Sequence, residues 1–416
     1  MPQSLDPAIV NAITEAFSMS PEQCDIKPSG GAGFSTSSKI TAFINGETKY
    51  LFLKTGSEAD MFKGEHASLA ALYSAVPSIC PMSLGHGKLE NSSGSFLLTE
   101  FLDLNARDAD KGTGLSLAQK LAKLHTTSAP IPDGCDRPMF GFHTTTYCGS
   151  TPQENTYRKS WSEFYAENRL RAIAMLIERK PGADTGLLLL IEKTAMEVVP
   201  RLLGDGHLGG EKGIFPVVVH GDLWSGNKNS GRIGGSGSVE AVVYDPSSCY
   251  AHSEYDLGIM KMFGGFDKKF YDTYYVLVPK TEPENEYNDR VELYELYHQL
   301  NHYLLFGGSY KSSAVAIMKR LSKNQRVSLE YRDLGSDIIH YYHSMERKSY
   351  LSKSSNAHIV KWSFGALCLA KRRVAHQQGN KVNVTGEPVT NRDADSAHLE
   401  RNWGFGGRMQ SICLGL

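Results

Sequence analysis

Residues 217–227 read VVVHGDLWSGN, and few stretches restrict the possible folds so tightly. Val217, Val218 and Val219 form a β-branched run suited to a strand buried on both faces. Directly after it the chain places a carboxylate, Asp222, then Trp224, then the amide of Asn227. A second apolar run, VEAVVYD over 239–245, repeats the pattern and ends on Asp245. It is expected to lie next to the first, across a hairpin whose turn is the glycine-rich SGRIGGSGS. Two adjacent strands that both end on acids do not make an ordinary core, because unpaired buried charge is costly. A shared cation resolves the conflict; salt bridges to surface lysines are the plainer alternative.

The rest of the chain gives these strand ends room for a cleft. At 416 residues it exceeds one ordinary domain of roughly 100–200 residues, so two lobes, or one domain with an appendage, are expected. It is 41% hydrophobic with a net charge of −1, and has no field to gather nucleic acid or an anionic membrane, so neither is an expected partner. The seven cysteines, Cys24, Cys80, Cys135, Cys148, Cys249, Cys368 and Cys413, show no C-x-x-C spacing. Such a set suits reduced thiols in the cytoplasm better than disulfides or a zinc site. The opening MPQSLDPAIVNAITEAF lacks arginine and an apolar targeting core. It reads as a helix capped by Asp6, begun by Pro7, with Ile9, Ile13 and Phe17 on one face. No apolar run approaches the ~20 residues that span a bilayer.

Downstream of that helix, Lys39–Ile44 and Lys49–Lys54 read as strands joined by Asn45-Gly46, a hairpin turn pair. Residues 60–76 have helical spacing, with Phe62, Leu69, Leu72 and Val76 apolar. Residues 94–104 form an apolar strand running into a linker, and 116–129 an amphipathic helix; the remainder is mostly helical apart from the two acid-ended strands. The expected organisation is a β-rich lobe with a leading helix over 1–102, a mainly helical lobe over 103–323, and an extension over 324–416 that lacks an apolar period. Its KRR at 371–373 reads as a solvated face.

Four features make chemical sense together. Gly30, Gly31 and Gly33, with Ser35 and Thr36, allow a backbone to approach and cradle a phosphate; a plain turn is the simpler reading. Lys54 ends an apolar strand and is followed by a helix bearing Glu65, a pair able to hold an ammonium against phosphate oxygens. Asp222 and Asn227 have the H-x-D-L-x-x-x-N spacing of phosphotransferase catalytic loops, where a carboxylate takes a hydroxyl proton and an amide oxygen holds Mg²⁺. Asp245 stands where a second metal-binding acid belongs. Asp256 precedes an apolar helix it could cap while tying down the catalytic loop, with His220 as further support. His252 and Glu254 either face substrate or are structural.

The stretches HGDLWSGN, YDPSSCYAHSEYDL and MFGGF, with MFGFHTTTYCGSTPQEN, MFKGEHASL and LNHYLLFG, closely resemble the fructosamine kinase (ketosamine-3-kinase) family over about residues 9–323. The resemblance implies an α+β, bilobal fold of the protein-kinase-like, aminoglycoside-phosphotransferase type. It makes Asp222 the base, Asn227 and Asp245 the Mg²⁺ ligands, and Lys54 with Glu65 the ATP pair. Gly31 and Gly33 would cover the phosphates, and Glu100, Phe101 and Leu102 would grip adenine. Trp224 would stack on the sugar or the lysine stem, with Asn301 and His302 walling the acceptor cleft. The implied reaction uses ATP to phosphorylate the 3-hydroxyl of a ketosamine on a protein lysine or a small amine, in a monomer or weak dimer. A kinase for another alcohol shares the same acids, and a nucleotide-binding scaffold is the reading from another class. Phe34 stands where some relatives carry a redox-active cysteine, and the tail beyond about Asn324 has no family counterpart.

Overall fold

The computed structural model describes residues 5–32, 35–105 and 114–323. Gly33, Phe34, Cys368, Cys413, the basic triplet at 371–373 and the rest of the 324–416 extension lie outside the described residues.

Helix α1 (Pro7–Phe17) begins as its sequence dictates: Asp6 Oδ1 accepts from the Ala8 amide at 3.0 Å. The same carboxylate accepts from the amides of Glu90 and Asn91 at 3.0 and 2.8 Å, which fastens the helix to a distant turn. Strands β1 (Gln23–Ala32), β2 (Ser35–Ile44), β3 (Glu47–Gly56), β4 (Ser83–Lys88) and β5 (Ser95–Glu100) form one antiparallel sheet in the order β1-β2-β3-β5-β4. Asn45 and Gly46, at φ of 49° and 75°, make the expected two-residue turn between Ile44 and Glu47. The glycine-rich stretch is less of a loop than the sequence suggests. Strand pairing continues through Gly30↔Ser37, Gly31↔Thr36 and Ala32↔Ser35, so Gly30 and Gly31 belong to a paired strand.

Helix α2 (Ala59–Ala75) crosses from β3 and buries Phe62, Leu69 and Leu72. The small core of the sheet holds Ile9, Ile13, Ile40, Leu51, Leu53, Phe96 and Leu98. Leu69 and Leu72 instead join Val76 and Ile79 in the larger core of the helical half. A helix seated this way is positioned by one half of the molecule while facing the other.

After β6 (Leu102–Asp103) comes α3 (Leu117–Leu124), started by a reciprocal capping box between Ser116 and Gln119 and ending five residues short of the predicted 129. The hairpin β7 (Thr146–Cys148) and β8 (Thr151–Gln153) precedes α4 (Trp161–Tyr165), α5 (Ala172–Glu178), α6 (Thr185–Lys193) and α7 (Val199–Leu203). Then follow β9 (Val217–Val219), β10 (Lys228–Ile233), β11 (Glu240–Val243), β12 (Cys249–Ala251), α8 (Tyr255–Phe263), α9 (Lys268–Leu277), α10 (Tyr287–Phe306) and α11 (Tyr310–Lys323). Helix α10 runs through the large core, and its Tyr294 hydroxyl accepts from Trp161 Nε1 at 2.9 Å. An antiparallel sheet with its helices beside a mainly helical half is the expected α+β bilobal arrangement. Among the described residues no helix is long and apolar enough to cross a membrane.

The pairing of the acid-ended strands differs from expectation. Strand β9 pairs with β12, Val219 opposite Cys249, while β11 pairs with β10. The two acids therefore follow strands of different sheets. Residues Ser230–Ile233, expected in the turn, belong to β10, where Arg232 and Ile233 also pair with β6. Strands of three residues, such as β7, β8 and β12, are too short to show an alternation in sequence.

Candidate active site

All three residues of β9 are buried, so the backbone leaving it is rigidly placed before the loop begins. That loop is held from beneath by Asp256. Its carboxylate accepts from the amides of His220 and Gly221 at 2.8 and 2.7 Å, and lies 3.1 Å from His125 Nε2. Burial alone would raise this carboxyl, but the hydrogen bond and charge of His125 and the Gly221 amide outweigh it and hold it below its ordinary range. Asp256 sits inside α8 rather than capping it, because both its oxygens are committed to the loop; the cap position is Glu254, whose side chain makes no capping bond.

His220 supports the loop from within. Its Nδ1 accepts from the Asp222 amide at 3.2 Å, and its Nε2 is 3.1 Å from the Tyr244 carbonyl, an arrangement satisfied by the Nε2–H tautomer. Burial pushes this imidazole down, so it serves as a neutral bridge. Gly221 has φ of +82°, and a Cβ there would sit 2.0 Å from the Ser247 carbonyl, so no other residue fits. The loop is thereby stitched to the chain before and after Asp245.

Asp222 projects from this frame with Oδ1 3.8 Å from Cys148 Sγ and Oδ2 3.4 Å from Asn227 Nδ2. Burial, then the charge of Asp245, push its carboxyl up to about 8. Asn227 Nδ2 also donates to the Asp222 carbonyl at 2.9 Å, which leaves Asn227 Oδ1 as the amide's acceptor. Asp245 has φ of +53°, an uncommon conformation for a side-chain-bearing residue and one that clusters at functional sites. Its Oδ1 is 2.6 Å from Lys54 Nζ, and the same ammonium is 2.7 Å from Glu65 Oε1 on α2. Burial works against the charged ammonium, yet the two carboxylates win and raise Lys54 above its ordinary range. A site this rich in carboxylate, with an amide oxygen beside it, fits a hard divalent cation that takes oxygen ligands.

A model of the family described as fructosamine kinase matches residues 8–324. The chain belongs to the fructosamine kinase family. It is 35% identical over 293 residues to the ketosamine-3-kinase of Mus musculus, covering 66% of this chain and 88% of that one. It is also 35% identical to the chloroplastic protein-ribulosamine 3-kinase of Arabidopsis thaliana, over 64% of this chain and 74% of the relative. In fold it resembles the solved structure of a Thermobifida fusca protein assigned as a fructosamine-3-kinase, with TM-score 0.58 and 23% identity, covering 76% of this chain and 99% of that one. A counterpart from Haemophilus somnus gives 0.55 at 24% identity, covering 75% and 96%.

Within this fructosamine kinase frame the predicted residues on the substrate side separate. Glu254 is not open to a cleft: both its oxygens bind the buried Arg290 guanidinium, at 2.8 Å to Nε and 3.1 Å to Nη2. His252 is likewise internal, with Nδ1 2.8 Å from the Tyr294 hydroxyl and Nε2 2.8 Å from Thr281 Oγ1. Asn301 is buried and donates to the Cys148 carbonyl at 3.2 Å, so it backs the site rather than walling it. Trp224 remains half-exposed, and its ring packs on Phe263, which in turn packs on the half-buried His302. Gly226 has room for this only because it lacks a Cβ, which would lie 2.2 Å from the Trp224 ring.

On the nucleotide side, Glu100 Oε2 accepts from the Met82 amide at 2.9 Å and the Phe101 amide donates to the Tyr50 carbonyl at 2.9 Å. Lys39 lies over the rings of Tyr50 and Phe101, at 4.3 and 4.2 Å from their centroids. Glu100 and Phe101 thus spend these polar groups on the sheet, at β3 and at the residue before β4. Sequence reasoning missed Cys148 and His125 as neighbours of the acids, since no spacing links them to the loop.

Proposed function

We propose that this fructosamine kinase family member transfers the γ-phosphoryl group of ATP to the 3-hydroxyl of a ketosamine, the adduct of a sugar with a lysine or small amine. The observation that carries the reading is the convergence of Asp222, Asn227, Asp245, Lys54 and Glu65 from four separate segments onto one site. Family membership then selects the acceptor class among the alcohols such a site could serve.

In its ionised form Asp222 accepts the proton of the attacking hydroxyl as the new O–P bond forms and the bond to the β-phosphate oxygen breaks. His220 and Asp256 keep that carboxylate in place. Lys54, gripped by Glu65, presents its charge to the α- and β-phosphates, and the end of the β1–β2 hairpin covers them with backbone amides. Asn227 Oδ1 and Asp245 are the groups that would hold Mg²⁺, which when bound neutralises phosphate charge. The connector at Leu102 would border adenine, and Trp224 is the face offered to the sugar. The 3-phosphate is a good leaving group once the ketosamine enolises, so the product decays to free amine, phosphate and a deoxy-dicarbonyl sugar.

The test is incubation of the full chain with ATP, Mg²⁺ and lysine carrying ribulosamine, erythrulosamine or fructosamine, beside a panel of unrelated alcohols. ATP consumption with at least one ketosamine, and release of its amine, is expected. No consumption with any ketosamine overturns the reading.

A further inference from the structure

We infer that Cys148, Asp222 and His298 form an inhibitory site for a thiophilic divalent cation of the zinc class, placed on the base itself. One ligand atom from each of the three lies within 4.8 Å of the others. Cys148 Sγ and Asp222 Oδ1 are already 3.8 Å apart, against about 3.5 Å for a sulfur–oxygen edge of a tetrahedral zinc site. The second observation concerns His298. Its ring is fully buried, and neither nitrogen has a hydrogen-bond partner among the described residues. Buried imidazole nitrogens are rarely left this way, and an ion or a water is the usual explanation. One turn along α10, the Oδ1 of buried Asn301 also lacks a partner among the described residues, on the side of the helix that touches Cys148.

The donor set decides between cations. Thiolate with imidazole selects zinc-like ions, whereas Asn227 and Asp245 offer only oxygen, which suits Mg²⁺. Two chemically different cation sites would therefore share Asp222 as their border. Binding breaks the Cys148 S–H bond, forms the metal–sulfur bond and releases the proton to solvent. Three protein ligands leave one position for solvent or an acceptor hydroxyl. A carboxylate bonded to such a cation cannot take the acceptor's proton, so occupancy stops transfer. This sulfur ligand was invisible to spacing: Cys148 stands alone in sequence, and Asp222 and His298 are brought to it by β9 and α10.

The inhibitory part rests on Asp222 acting as the base, whereas the binding part does not, and the experiment separates them. The full chain is stripped of metal and titrated with Co²⁺, whose thiolate charge-transfer absorption reports a cobalt–sulfur bond; Zn²⁺ is then added to displace it. A one-to-one absorption is expected, absent in Cys148→Ser and weakened about tenfold or more in His298→Gln. In parallel, ATP consumption is measured with a ketosamine at saturating Mg²⁺ and buffered free Zn²⁺, each variant normalised to its own zinc-free rate. Zinc should inhibit the unmodified chain and inhibit both variants at least about tenfold less strongly. Thermal melts check that each variant is folded; if His298→Gln is not, Cys148→Ser decides. No thiolate absorption, or one that survives Cys148→Ser, overturns the site. Cobalt bound at Cys148 with zinc-insensitive turnover overturns the inhibitory role. A cobalt site in a chain that consumes no ATP with any ketosamine overturns the functional reading and leaves the metal site standing.

Discussion

The Asp256 carboxylate accepts from the Gly221 amide at 2.7 Å, and this contact, with its twin at His220, is what aims the candidate base. Asp256→Ala leaves two buried N–H groups without an acceptor, and His125 Nε2 without its partner, while His125 Nδ1 keeps the Tyr274 hydroxyl. A loss of about 3–5 kcal/mol in unfolding free energy is expected, read by urea denaturation. Asp256→Asn keeps one acceptor oxygen, so it should cost less stability while still lowering kcat. A variant with full activity would show that the loop needs no such anchor.

The contribution of sequence to this site is uneven, for physical reasons. Asp222, Asn227, Asp245, Lys54 and Glu65 were legible because strand ends and short loops impose fixed spacings. The proposed chemistry follows from the same place, because acids after buried strands need an explanation. His252 and Glu254 were ambiguous because a polar residue near a site looks the same whether it faces a cleft or an internal partner. Arg290, which settles Glu254, is distant in sequence and enters from α10. Strand pairing was misjudged because nothing local says that β9 prefers β12 to β11.

Lys54 is shared between Glu65 and Asp245, with only 14% of its side chain exposed. Lys54→Met removes the ammonium and leaves two carboxylates facing each other. The expected result is a rise in KM for ATP together with a fall in kcat of about 10²-fold or more. Glu65→Gln should be milder, because Asp245 still holds the lysine. Initial rates across ATP concentrations separate the two effects. An unchanged KM and kcat in Lys54→Met would remove this lysine from the nucleotide site.

The Glu254–Arg290 pair is buried and bidentate, so Glu254→Gln or Arg290→Met should act on stability. Breaking one partner of such a pair costs about 3–5 kcal/mol. The melting temperature should fall while KM for the ketosamine stays near its original value. A raised KM with normal stability would restore Glu254 to the acceptor cleft.

Trp224 is expected to do the reverse. Its half-exposed ring contributes little to the core, so Trp224→Ala should fold normally. Loss of a stacking face should raise KM for the ketosamine by about 2- to 10-fold with KM for ATP unchanged. Trp224→Phe, which keeps an aromatic face, should recover part of that loss. Equal effects on both substrates would place the ring elsewhere.

His252 gives the fold a pH dependence that a single variant can isolate. Burial lowers its folded value to about 4, while an unfolded histidine titrates near 6.5. Above about pH 6.5 neither state binds this proton, and the residue leaves stability unaffected. As pH falls from there toward 4, the unfolded chain takes up a proton that the native core refuses, so stability is lost. The loss approaches about 1 kcal/mol per pH unit and levels off once the folded imidazole is itself protonated. Asp222 works in the opposite direction. Its raised carboxyl binds a proton in the native state before it does in the unfolded chain, and so favours the fold as pH falls. The net slope mixes these with other lowered histidines, His66 and His298 among them, but His252→Gln leaves all of those in place and removes only its own contribution. Urea unfolding between roughly pH 7 and pH 5 should therefore give a wild-type slope steeper than that of His252→Gln by about 1 kcal/mol per pH unit. Identical slopes would mean that His252 keeps its ordinary affinity for protons in the folded chain, and that the core around Tyr294 and Thr281 admits water.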